Sequence, residues 1–563
     1  MKIQKPFLAL LIVMWLPVPF IGYFSHHDGL MVTTVNQLQN AMKDGGQWPF
    51  NQYGSFWAFV YAIPTWIVNQ EYLLISMRLI TLLFYFITAF ITYKIARLFG
   101  DRTFAIAGVI LLLGNQVFLF DLLPWPSAVA MPIITQISYL LLRKVTKVDV
   151  TQTKLNIEVS LLGILIPMVI LTRIQIGVAL FLVAIVVIKY FGSRREISIF
   201  ALSFLSAFGI FFAYLASNGW LIQSLQDQVL FGSSYLGSNS NPIPIFTSIG
   251  TLIVIFFLAS SKSIIGQINS IGNKRKLRLQ AAGVFLVLVA SAALILKQRS
   301  MNITSMYLLV IHRLWISLIL GAIIYFGSVQ LKKSFKAWQD HGVIDKDLQK
   351  MNVLALLSIA AQLQIFPLFD QMHSWWGSTP GVIILLLLFK DKYEKSSKSA
   401  IREKKLTYLT FIGTLLIFIL PFTLKTFNLG KLTSSQYLGA VYLPMNSEKD
   451  ISDLQSMFEK NLIAGTRVLN LCPDPDVFLK PNFVESESRV FIFWPEFLKI
   501  DYLNESFQDL NPEAVVSCFS ESSETFGIKN LEELTNSASR RAILVDSIDG
   551  KSGHDWQIWK FDQ

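Results

Sequence analysis

Apolar runs of about 20 residues, the length an α-helix needs to cross a bilayer, recur along the first three quarters of the chain and alternate with short polar or basic stretches. Taken in order they predict an α-helical polytopic membrane protein of about 13 transmembrane helices. The predicted spans are 7–25, 72–93, 103–120, 125–142, 157–172, 174–191, 197–217, 244–260, 279–296, 305–327, 351–368, 379–390 and 406–425. The apolar piece 55–68, interrupted by Pro64, is short for a span, and its Trp57, Tyr61 and Trp66 predict a helix lying in the headgroup region. Beyond residue 427 the pattern changes. Short strand-like runs at 467–471, 489–494, 514–518 and 542–545 alternate with polar, helix-prone stretches, which predicts a small α/β domain. The expected division is therefore a transmembrane domain over 1–427 and a soluble α/β domain over 428–563.

Charge orients this layout. Of 48 Lys and Arg residues, 36 precede Asn428, where only 16 Asp and Glu occur; the tail reverses the balance, with 12 basic against 21 acidic residues. Assigning the loops alternately to two sides puts 29 of those 36 on one side, the exceptions being Lys43, Arg78, Arg173, Lys297, Arg299, Arg313 and Lys425. Basic loops stay cytoplasmic, so the N-terminus is expected in the cytoplasm and the tail outside a cell (plasma or inner) membrane. No small-residue cleavage site follows the first apolar run, which reads as a retained span. A basic membrane part with an acidic tail implies a lipid bilayer as partner and no nucleic acid. The two cysteines, Cys472 and Cys518, fall at the ends of predicted tail strands; an outer location fits one disulfide between them, with two buried free thiols as the alternative.

Candidate chemistry gathers in the outer loops. His26, His27 and Asp28 follow the first span, Asp121 the third, and Asp370 with His373 the eleventh. Such carboxylates serve as a general base, as ligands of a divalent cation (Mg or Mn, with Asp28 and Asp121 the candidates), or both. The plainer reading of Asp28 is the N-cap of a helix starting at Gly29. Arg78 and Arg313 lie within spans, where an arginine costs about 2.5–3.5 kcal/mol and normally has a partner or a function; an anionic partner is the natural inference, with intraprotein pairing or snorkelling toward the outer face as the alternative. Arg313, Arg299 and Arg173 suit a lipid-linked phosphate, because guanidinium forks match phosphate oxygens. No Walker A, Rossmann, zinc-protease or Gly-x-Ser-x-Gly pattern occurs, which disfavours nucleotide-driven chemistry.

The acidic residue after span 1 (Asp28), the aromatic element Asn51-Gln52-Tyr53-Gly54-Ser55-Phe56-Trp57, Met77-Arg78-Leu79-Ile80, Ala96-Arg97-Leu98-Phe99-Gly100, Asp121 and the late His373-Ser374-Trp375-Trp376-Gly377-Ser378-Thr379-Pro380 together resemble the type C glycosyltransferase superfamily. These GT-C enzymes are integral membrane proteins that move sugars from polyprenyl-phosphate donors. The resemblance implies a GT-C-like fold and an inverting hexosyl- or pentosyltransferase acting on an extracytoplasmic glycan, lipid or protein acceptor. It further implies Asp28 as general base and Asp121 positioning acceptor or metal. Arg173, Arg299 and Arg313 would hold the donor phosphate, His373 would lie near the leaving oxygen, and His26, His27, Tyr53, Trp375 and Trp376 would line the substrate site. The first loop has no Asp-x-Asp or Glu-x-Asp pair and the tail no Trp-Trp-Asp, which speaks against a strict metal requirement and an oligosaccharyltransferase role. A flippase of lipid-linked saccharides and a non-catalytic envelope-polymer assembly protein are the alternatives; the paired half-repeats and mid-membrane charges a transporter wants are not evident in the sequence.

Overall fold

The computed structural model describes residues 4–23, 25–49, 51, 53–114, 122–146, 151–228, 303–365, 371–394, 432–463, 466–470, 512–520, 542–549 and 554–561. The helices, in order, are α1 (Gln4–Trp15), α2 (Ser25–Asp44), α3 (Phe56–Ala62), α4 (Leu73–Arg97), α5 (Arg102–Gly114), α6 (Pro126–Thr146), α7 (Gln152–Ile170), α8 (Ile174–Phe191) and α9 (Arg194–Ser217). They continue with α10 (Ile303–His341), α11 (Lys346–Gln362), α12 (Gln371–Trp376), α13 (Thr379–Glu394) and, in the tail, α14 (Met445–Asn461). Ten of these coincide with predicted spans; the predicted spans 244–260, 279–296 and 406–425 lie outside the described residues. Among the described residues, five helical segments are long and apolar enough to cross a membrane: 70–97, which contains α4, and α6, α7, α8 and α9.

Local chemistry sets the helix ends. Span 1 was expected to reach residue 25, but α1 stops at Trp15, because Pro17 and Pro19 lack the amide hydrogens an α-helix needs and leave only a single 3-10 turn. Helix α9 starts on a capping box in which the Ser193 side chain accepts from the Glu196 amide and Glu196 in return accepts from Ser193. Asp345 caps α11 by accepting from the Leu348 amide at 2.8 Å. The piece 55–68 departs from expectation. Only Phe56–Ala62 is helical, and Trp57 and Tyr61 are fully buried, leaving Trp66 to face outward. Those two rings pack between α2 and α6 because their polar atoms find partners inside: Trp57 donates to Asn51, and the Tyr61 hydroxyl pairs with Thr81.

Two apolar cores follow. One packs α6, α7, α8, α10, α11 and α13 around Ile137, Ile166, Leu180, Ile319, Leu354 and Ile383. The other occupies the opposite end from the basic loops and runs without a break from Trp15, Trp57, Trp125 and Trp375 into Leu438, Val441 and Phe458 of the tail. At the basic end, a buried Lys144–Glu196 ion pair joins α6 to α9, and Arg143 pairs with Glu158 of α7 at 2.9 Å. Helix α10 is 39 residues long; its last turns carry Leu331, Phe335 and Trp338 as an exposed apolar stripe beside exposed Lys332, Lys333 and Lys336. It packs against α11 and α13, and Asn352 donates to the Ser334 hydroxyl at 2.8 Å.

The tail contains an antiparallel hairpin, β1 (Leu432–Ser434) and β2 (Tyr442–Pro444), and a four-stranded sheet of β3 (Val468–Asn470), β4 (Ala514–Ser520), β5 (Ala542–Asp549) and β6 (His554–Phe561) in the order β3-β4-β6-β5. β3 runs parallel to β4 and the other pairs are antiparallel, Val516 facing Ile558. With α14 against β5, these described pieces are an α/β arrangement. β6 was not expected, and the predicted strand 489–494 lies outside the described residues.

Candidate functional site

Because α1 ends early, the chain re-enters a helix at Ser25, and Asp28 falls in the first turn of α2 instead of at its N-cap. The cap reading is thereby corrected: the Asp28 side chain is fully buried and points at α4. There Arg78, 3% exposed, donates from Nη2 to Asp28 Oδ2 at 2.7 Å. Its Nη1 donates to the carbonyls of Pro19 at 3.1 Å and Gly22 at 2.9 Å. Arg78 is thus paired within the chain, with a carboxylate 50 positions earlier on α2. Burying two charges is costly, and the surrounding carbonyls and the negative charge offset that cost only while all the contacts are kept.

A row of aromatic and polar groups starts at the neighbouring residue. The His27 ring meets Trp125 edge-on with centroids 4.7 Å apart, and Trp125 meets Tyr53 edge-on at 5.2 Å. The Arg173 guanidinium lies 4.7 Å from the centre of the Tyr53 ring. Arg173 also donates from Nε and Nη2 to the Ser127 hydroxyl at 2.9 and 2.6 Å, and the Gln364 amide donates to the same oxygen. Tyr53 is set by Asn51, whose side-chain oxygen accepts from the Tyr53 amide at 3.0 Å and from the Trp57 indole at 3.2 Å. Gly54 lets the loop touch the α7–α8 turn: a Cβ there would lie 2.0 Å from the Leu171 carbonyl oxygen, which instead accepts from the Phe56 amide at 3.0 Å.

The structure therefore brings Asp28, His27, Tyr53 and Arg173 to one region. Arg78, Trp125, Ser127 and Gln364 join them, although the sequence did not single out the last three. Trp125 and Ser127 flank Pro126 at the first position of α6, which was the available signal for that helix start. Trp375 and Trp376 are buried and committed to packing. The Trp375 indole donates to the Leu112 carbonyl at 2.7 Å and its ring contacts Trp15 and Tyr85, while the Trp376 indole donates to the Tyr85 hydroxyl at 3.2 Å. His373, half-buried on α12, has its ring 5.3 Å from that of Trp376. His26, Arg313 and Cys518 belong to α2, α10 and β4; Asp121, Arg299, Asp370 and Cys472 lie outside the described residues, and the Cys472–Cys518 pairing with them.

Of the two carboxylates expected to hold a divalent cation, only Asp28 lies among the described residues. Asp28 Oδ2 already faces a guanidinium, and among the described residues no three His, Cys, Asp or Glu side chains gather. Beside the row, an apolar groove of about 620 Å³ runs between α7 and α9, lined by Ile164, Met168, Leu202, Ile210 and Phe211 and reaching Phe56 and Leu171, two residues from Arg173.

No family model and no curated protein sequence matches the chain. In three dimensions it is similar to the apo crystal structure of the Archaeoglobus fulgidus oligosaccharyltransferase, at 11% identity over 92% of this chain and 69% of that one, with a TM-score of 0.46. It is similar to ArnT from Cupriavidus metallidurans bound to undecaprenyl phosphate, at 11% identity over 98% of this chain and 97% of that one (TM-score 0.43). A third likeness is to the archaeal oligosaccharyltransferase AglB from Archaeoglobus fulgidus in complex with an inhibitory peptide and a dolichol-phosphate, at 11% identity over 99% and 74% of the two chains (TM-score 0.46).

Proposed function

We propose that the chain is an inverting membrane glycosyltransferase that moves a sugar from a polyprenyl-phosphate donor to an extracytoplasmic glycan, lipid or protein. The observation that carries this reading is a buried, oriented carboxylate next to an aromatic row that ends in an arginine two residues along the chain from the lining of an apolar groove. In the proposed reaction the acceptor hydroxyl gives its proton to Asp28 as its oxygen attacks the anomeric carbon. The bond from that carbon to the phosphate oxygen breaks on the opposite face, and the lipid phosphate leaves with the bonding electrons. Arg173, its fork already fixed by Ser127 and Tyr53, receives the developing charge, an arrangement preorganised for a phosphate. The isoprenoid chain of the donor occupies the groove between α7 and α9. His27 and Tyr53 offer the polar edge and the flat face that sugars pack against. Arg299 and Arg313 join Arg173 on the donor phosphate, His373 lies near the leaving oxygen, and Asp121 positions the acceptor or a cation.

The same ion pair would also serve as a purely structural tie, so the test removes charge without leaving any of it unpaired. Turnover of a polyprenyl-phosphate sugar is compared, per folded protein in vesicles, for wild type, Asp28→Asn and the neutral double variant Asp28→Asn/Arg78→Gln. Both variants are expected to lose transfer by ~100- to 10,000-fold, the usual worth of a positioned general base. Turnover by the double variant within a few-fold of wild type would reduce Asp28 to a tie and overturn the assignment.

A further inference from the structure

We infer that Gly22 is a positioning residue through which the C-terminal region, docked on it by β2, sets the direction of the Arg78 guanidinium and so of the Asp28 carboxylate. The inference rests on the reading of Asp28 as the base. Three hydrogen bonds carry it in series. The Gly22 amide donates to the Tyr442 carbonyl at 2.9 Å, the Gly22 carbonyl accepts from Arg78 Nη1 at 2.9 Å, and Arg78 Nη2 donates to Asp28 Oδ2 at 2.7 Å. Ile21 adds a bridge to Tyr442 of its own. Gly22 has φ +78°, and that left-handed turn aims its amide at the tail while aiming its carbonyl at Arg78. Other L-residues avoid this region, so the aim depends on the glycine.

The hairpin is well seated for such a role. Leu438, Val441 and Leu443 are buried in the same core as Trp15, and Gly439, at φ +60°, comes so close to the turn just before α4 that a Cβ would lie 2.7 Å from the Tyr72 ring and 2.8 Å from the Glu71 carbonyl oxygen. The tail thereby grips both ends of the frame around Arg78: the 21–22 segment and the start of the helix that bears the arginine.

Two variants separate this role from simple stability. A Cβ at Gly22 would meet nothing within 4 Å, so Gly22→Ala changes only the backbone preference. It is expected to lower kcat about tenfold, the equivalent of forcing alanine into the left-handed region, with donor KM unchanged. Gly22→Asn should recover most of the rate, since Asn tolerates positive φ several-fold better. Gly439→Ala, which wedges the hairpin off the turn before α4, should speed hydrogen exchange of the segment 18–30 while β4 and β6 stay protected. If Gly22→Ala keeps wild-type kcat, or Asn rescues no better than Ala, the positioning role is overturned while the transferase reading stands. Unchanged exchange at 18–30 in Gly439→Ala overturns it whatever the activity. Faster exchange in a wild-type background that transfers no sugar would retain the docking and remove the reaction.

Discussion

Asp28 and Arg78 bury opposite charges against each other, so single substitutions there act mainly through what they leave behind. Asp28→Asn leaves the buried Arg78 charge with only neutral partners such as the Pro19 and Gly22 carbonyls and should lower stability by ~3–5 kcal/mol, whereas the neutral double variant should recover most of that loss. Thermal or denaturant unfolding of the purified protein reads both values. Arg173 makes a different demand. Lysine keeps the charge but cannot both stack on Tyr53 and fork onto Ser127, so Arg173→Lys should lower kcat about tenfold with a smaller change in donor KM, in keeping with ~1.5 kcal/mol for a lost charged hydrogen bond to the departing phosphate. At the tail surface, hydrogen bonds from Lys460 and Asn461 hold the Asp546 carboxyl below its usual range. A depressed folded-state value gives stability that is complete above the unfolded pKa of about 3.9 and lost as pH falls through the folded one. The stability gap between wild type and Asp546→Asn should therefore shrink between pH 5 and pH 2. Much of the site could be read from single residues: His27, Asp28, Tyr53 and Arg173 are scarce groups in loops of one side. Their pairing could not. Asp28 and Arg78 are 50 positions apart, and nothing local distinguishes Ser127 or Gln364 from any other polar residue near a helix end.

At the scale of elements, the site depends on one close backbone crossing and one buried tie. Gly54→Ala would press a methyl group against the Leu171 carbonyl, and overpacking of this kind costs ~1–3 kcal/mol. Because Arg173 follows two residues later, the same variant should weaken donor binding, a link that donor titration checks. At the opposite end Glu196 both caps α9 and neutralises Lys144. Glu196→Gln should cost ~3–5 kcal/mol through the uncompensated lysine, with catalysis per folded molecule unaffected. The long spans were legible because twenty apolar residues leave little choice of structure. The short elements were less so: two prolines cut span 1, and hydrogen bonds turned Trp57 and Tyr61 inward although their composition suits a membrane surface. β6 was readable in principle. Trp556 and Ile558 are buried and alternate with Asp555 and Gln557, but its polar residues hid it from a search for apolar runs.

For the whole molecule, the basic loops and the candidate site occupy opposite ends of the helices, so sidedness decides which compartment the proposed acceptor would come from. A single cysteine replacing Asn273 should resist a membrane-impermeant thiol reagent applied from outside, while one at the exposed Lys460 should react; the opposite pattern would move the proposed reaction into the cytoplasm. Helix α10 adds a consequence for the surrounding lipid. Its 39 residues extend ~58 Å, almost twice the ~30 Å hydrocarbon thickness, so it must lean or project beyond the hydrocarbon. In a bilayer, the exposed Leu331, Phe335 and Trp338 would suit the edge of the acyl chains and the exposed Lys332, Lys333 and Lys336 the headgroups beside it. Each such lysine contributes ~1 kcal/mol against an anionic leaflet and much less against a zwitterionic one or in high salt. With the lysines so placed, phospholipid charge would help set the depth and lean of this bundle, and vesicles rich in anionic lipid should hold it differently from neutral ones.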